Sequence, residues 1–88
     1  MDKNPLLIAL GTRIRSLRIA KGYSQEGFAF KANLARGYYG EIERGERNVA
    51  TLNLYRIAKA LEVDIKEIFN INILNKKETQ DETNHFHN

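Results

Sequence analysis

The side chains best equipped for specific polar chemistry fall between Ser24 and Asn48. Arg36 carries a guanidinium, which can donate two parallel hydrogen bonds to O6 and N7 of a guanine. Tyr38, two positions on, offers a hydroxyl and a ring to a phosphate, a sugar or a thymine methyl. Arg47 and Asn48 lie in the polar run Glu46–Ala50, placed to clamp a phosphate backbone, with Arg47 long enough to reach a base. Ser24 and Gln25 open a short helix, and N–H groups at a helix start assist anion binding. Glu41 falls on the side of Gly37 and Tyr38. Beside phosphates it must either accept from a cytosine amino group or stay back. The chemistry on offer is recognition of a polyanion by hydrogen bonds.

The parts of an enzyme are missing. There is no cysteine, which excludes disulfides and thiolate metal sites and suits a reducing compartment. No glycine-rich loop follows a strand, and no carboxylates pair in an apolar setting. His85 and His87 sit in a polar stretch and read as solvated rather than as metal ligands. Neither a metal nor a cofactor is expected. No apolar run approaches the ~20 residues that span a bilayer. The opening MDKNPLLIAL lacks the pattern of a signal peptide, so a cytoplasmic location with no membrane partner is expected. Charge is uneven: residues 1–61 hold 11 Lys and Arg against 5 Asp and Glu, whereas residues 62–88 hold 3 against 6. A basic body fits a polyanionic partner.

The elements that must position these residues follow from periodicity. Asn4-Pro5 reads as a cap and first helical residue, and Leu7, Leu10, Ile14 and Leu17 carry a helix to about Lys21, where Gly22 ends it. Ser24 caps a second helix to about Ala32, with Phe28, Ala29 and Ala32 on one face. Asn33 is suited to the left-handed conformation of a sharp turn. A third helix spans about Ala35–Arg44, with Tyr39 and Ile42 inward and Gly45 ending it. That pair of helices across a tight turn is a helix-turn-helix, whose second helix can enter the major groove of DNA. Thr51 caps a fourth helix along Leu54, Ile57, Ala58 and Leu61, and Asp64 caps a fifth bearing Ile65, Ile68 and Phe69. Its end is open, because Ile71, Ile73 and Leu74 extend the apolar pattern. The expected architecture is all-α: a compact five-helix, lambda-repressor-like domain over residues 1–75. A polar, disordered tail is expected over residues 76–88, where little apolar surface offsets the entropy of ordering.

The run Ser24-Gln25, Phe28-Ala29, Leu34, Tyr38-Tyr39, Ile42-Glu43-Arg44-Gly45, Arg47-Asn48, Leu54, Ile57–Leu61 and Ile68-Phe69 resembles the Xre/Cro/C1 helix-turn-helix family. The resemblance covers about residues 6–71. Asn33–Tyr38 and Arg47-Asn48 look most like the controller proteins of restriction–modification operons. Three positions depart from the family pattern: Gly27 for an acidic residue or lysine, Gly37 for a threonine or serine that often contacts DNA, and Tyr39 for isoleucine or valine. Tyr39 would put a larger ring in the core, its hydroxyl reaching toward the edge.

What the resemblance implies is a sequence-specific transcriptional regulator acting as a dimer on its own promoter. Arg36, the Gly37 position, Tyr38 and Arg47 would contact bases, and Ser24, Gln25 and Asn48 the DNA backbone. Arg18 would pair with Glu43 and orient the recognition helix. Ile65, Ile68, Phe69 and Ile71 are more apolar surface than so small a domain buries alone, so they are expected at a homodimer interface. The expected partners are a pseudo-palindromic DNA operator, a second copy and, as one to test, RNA polymerase. Alternatives are a phage-type repressor, an antitoxin whose tail folds on a toxin, and a module that binds protein or RNA instead of DNA.

Overall fold

The computed structural model of the chain describes residues 4–72. The expected tail, Ile73, Leu74 and both histidines lie outside the described residues. Five helices follow one another: α1 (Pro5–Ala20), α2 (Gln25–Lys31), α3 (Arg36–Glu43), α4 (Thr51–Leu61) and α5 (Ile65–Ile68). No strand occurs among the described residues, in keeping with the all-α expectation. None of these helices is long and apolar enough to cross a membrane.

Three helix starts follow their sequence signals. Asn4 Oδ1 accepts from the N–H groups of Leu6 at 2.9 Å and Leu7 at 3.2 Å, with Pro5 in the first turn. Ser24 Oγ accepts from Gly27 N at 3.0 Å, and Asp64 Oδ1 from Lys66 N at 3.0 Å. The fourth start differs from expectation. Ala50, in extended conformation, is the cap residue of α4, and Thr51 is already helical, so its hydroxyl caps nothing. A capping side chain must belong to the extended residue that precedes the helix.

The core gathers Ile14, Phe28, Tyr39, Ile57, Leu61 and Ile68, all fully buried. Two sequence expectations change here. Tyr39 is wholly enclosed rather than reaching the edge. Its ring lies 5.3 Å from that of Phe28 and its hydroxyl donates to Glu43. Ile68 lies in the core of its own chain, 0 % exposed, and offers no surface to a second copy. The turn of α5 aims it inward, whereas Phe69, the next residue, stays 47 % exposed. Leu17 and Leu34 are half-buried at the core's margin.

Two glycines set how closely α1 approaches α3 and the turn after it. The inward stripe of α1 is Leu10, Gly11, Ile14 and Arg18. A Cβ on Gly11 would stand 2.4 Å from the Ile42 carbonyl oxygen and 2.5 Å from that of Glu43. Gly45, at φ +74°, turns the chain under α1, where a Cβ would meet Ile8 Cα at 2.7 Å. Leaving out side chains thus lets two backbones touch. At the other side, Arg13 Nε donates to the Glu67 carbonyl at 2.8 Å and ties α5 to α1.

Candidate nucleic-acid interface

The α2–α3 unit is held by a left-handed Asn33, φ 61°, and a hydrogen bond from Leu34 N to the Ala29 carbonyl at 2.9 Å. That turn brings the first residue of α3 to the surface. Arg36 is exposed there and makes no side-chain hydrogen bond to another described residue. The helix has no side-chain cap, because Ala35 stands in the cap position. Its first-turn N–H groups are therefore open to an anion beside Arg36. Gly37 follows, and beyond its chain neighbours and the helix's own backbone nothing lies within 4 Å of where its Cβ would be, so its surface is backbone alone.

A frame of buried polar side chains fixes α3 in place. Arg18 Nε donates to Glu43 Oε2 at 2.7 Å and Arg18 Nη2 to Glu43 Oε1 at 3.1 Å, a two-point pair with both side chains nearly enclosed. Tyr39 donates to the same carboxylate, and Gln25 Nε2 reaches Glu43 Oε1 at 3.1 Å. Burial pushes the Glu43 carboxyl up, but the hydrogen bonds from Arg18, Tyr39 and Gln25 outweigh it and hold it below its usual range. Burial, reinforced by the bond to Glu43, raises the Tyr39 hydroxyl, so it stays a proton donor. The hydrogen bond to Glu43 raises the Arg18 guanidinium in turn. The expected Arg18–Glu43 pair is therefore present, and it joins α1, α2 and α3 at one point.

The remaining site residues sort into two groups. Gln25 is committed to Glu43, but its amide nitrogen keeps a second hydrogen for a phosphate. Ser24 caps α2 through its oxygen and keeps its own hydroxyl hydrogen. Asn48 is exposed. Tyr38 and Arg47 are held together: the Arg47 guanidinium stands 5.4 Å from the Tyr38 ring centre. Arg47 also donates from Nε and Nη2 to Glu41 Oε1, at 2.9 and 2.7 Å. Tyr38 is half-buried, and its hydroxyl oxygen accepts from Asn53 Nδ2 at 2.9 Å. Asn53 carries no sequence signal of this role, because no local pattern shows that the first turn of α4 lies beside α3.

Comparison with known proteins agrees with this geometry. The helix-turn-helix family matches residues 14–68. Control protein C.MunI of Mycoplasma sp is 40% identical over 67 residues, covering 75% of this chain and 90% of that protein. The crystal structure of the restriction–modification controller protein C.AhdI from Aeromonas hydrophila superposes with a TM-score of 0.70 at 48% identity, over 72% of this chain and 96% of that one. SinR, the master regulator for biofilm formation solved in complex with DNA, superposes with a TM-score of 0.66 at 32% identity, over 69% of this chain and 98% of that one. The chain belongs to the helix-turn-helix family of the Xre/Cro/C1 type, with restriction–modification controller proteins among its relatives.

Proposed function

We propose that this chain is the controller protein of a restriction–modification operon, a DNA-binding regulator of transcription that acts as a dimer on its own promoter. The observation that carries the reading is the exposed Arg36 at the uncapped start of α3, on a body in which basic residues outnumber acidic ones. Inserted into a major groove, Arg36 donates to a guanine, Tyr38 and Arg47 lie alongside, and Gly37 lets the backbone come close to the next base pair. Ser24, Gln25 and Asn48 hold phosphates and set the register. Kinship with controller proteins supports the operon. A regulator of this kind works in the cytoplasm.

The dimer rests on a different surface. Tyr55 on α4 and Ile65 on α5 line one groove, and Leu52, Tyr55 and Phe69 are 60, 54 and 47 % exposed. Leu52 and Tyr55 replace Ile68 in the interface expected from sequence, with Ile65, Phe69 and Ile71 retained. Two-fold pairing through this face predicts two half-sites about one helical turn apart. Footprinting on the DNA directly upstream of the chain's own gene tests the reading. The expected result is a protected pseudo-palindrome; protection nowhere in that region would contradict it.

A further inference from the structure

Glu41 faces the surface that α3 presents to DNA, yet its carboxylate is committed to Arg47. Both hydrogen bonds from Arg47 converge on one oxygen, Glu41 Oε1, at 2.9 and 2.7 Å. The guanidinium is folded back over the Tyr38 ring, 5.4 Å from its centre. Tyr38 is held from behind by Asn53, whose Nδ2 donates to the hydroxyl oxygen at 2.9 Å while its Oδ1 accepts from Arg56 Nη1 at 3.2 Å. Because Asn53 supplies that donor, the Tyr38 hydroxyl hydrogen remains free for an acceptor on DNA. Tyr38 is thus anchored, whereas Arg47 is tethered by a pair that solvent reaches from both sides, with side chains 51 and 36 % exposed.

We infer that Glu41 is a specificity-determining residue that acts through Arg47: it holds this arginine back from arbitrary phosphates and yields it only where α3 is seated against its preferred sequence. The inference rests on the DNA-binding reading proposed above. Two properties make the exchange workable. An exposed ion pair is weakly held, so a well-placed phosphate or guanine can displace the carboxylate. A paired guanidinium carries little net charge toward distant DNA, so a poorly seated complex gains nothing from Arg47.

The test is a two-by-two set of proteins: wild type, Glu41→Gln, Arg47→Ala and both together. Each is titrated against a random-sequence duplex and against the DNA directly upstream of the gene, across a range of salt. Glu41→Gln should tighten binding to the random duplex by about 3–10-fold and steepen its salt dependence by roughly one phosphate contact, near −0.9 in the log–log slope. It should tighten the upstream DNA less, so the ratio between the two falls. In the Arg47→Ala background the same substitution should have most of this effect removed. An equal gain in both backgrounds would overturn the inference, since it would mean that Glu41 acts only as a negative charge. A wild-type chain that binds neither duplex would overturn the DNA-binding reading and this inference with it. Wild-type binding with a ratio unmoved by Glu41→Gln would overturn the inference alone.

Discussion

Glu43 accepts hydrogen bonds from Arg18, Tyr39 and Gln25, residues of three different helices, and lies 7 % exposed. Removing its charge leaves the Arg18 guanidinium buried without a counter-ion. Glu43→Gln should therefore destabilise the chain by about 3–5 kcal/mol, read from chemical denaturation. The pH dependence has a definite sign. The carboxyl ionises below its usual 4.5 in the folded chain. Its stabilisation is present above the unfolded value and is lost as pH falls through the folded one. Stability should drop on acidification below about 4.5, and Glu43→Gln should flatten that part of the profile. Gly37 gives the opposite kind of prediction. Nothing lies near its missing Cβ, and it sits in an exposed first turn. Gly37→Ala should raise stability by up to ~1 kcal/mol, through helix propensity alone.

At the scale of the helices, α1 and α3 are joined backbone to backbone at Gly11, and α5 is a single turn pinned by Ile68 and Arg13. Gly11→Ala must push α3 away or distort it, so it should lower both stability and DNA affinity. A melting temperature unchanged within a degree would contradict the close crossing. Ile68→Ala should cost about 2–5 kcal/mol as a cavity in the core. Phe69→Asp should leave the fold intact but move sedimentation toward monomer, which separates the buried from the exposed side of α5. Helix order, the Asn33 turn and the Arg18–Glu43 pair were legible in the sequence because apolar spacing, a turn residue and the family resemblance each mark them. Gly11 was not, since a missing side chain leaves no periodic signal. Nor was the choice of Ile68 between core and interface, or the enclosure of the Tyr39 hydroxyl: an apolar run shows that residues seek cover, not which side supplies it. Asn53 and the Arg47 partner of Glu41 escaped for a related reason. Their partners are set by how α4 and the loop after α3 pack, and the separations from Tyr38 to Asn53 and from Glu41 to Arg47 match no helical repeat.

For the whole molecule, the charge pattern and the geometry of α3 make one statement. Basic residues outnumber acidic ones over positions 1–61, which include α3, and acidic ones outnumber basic ones over the rest. A dimer neutralising about 6–10 phosphates should lose roughly 10³–10⁵ in affinity between 50 and 200 mM salt, and affinity flat over that range would contradict binding of this kind. Salt alone does not distinguish reading from adhesion, because phosphate contacts carry no sequence information. Arg36 does. The most direct measurement compares wild type and Arg36→Ala against every single-base variant of the bound upstream site. The expected result is a loss of about 1–3 kcal/mol confined to the preferred sequence, with discrimination erased at one guanine in each half-site. If Arg36→Ala binds all variants in the wild-type rank order, weakened uniformly, Arg36 holds a phosphate and α3 does not read the sequence through it.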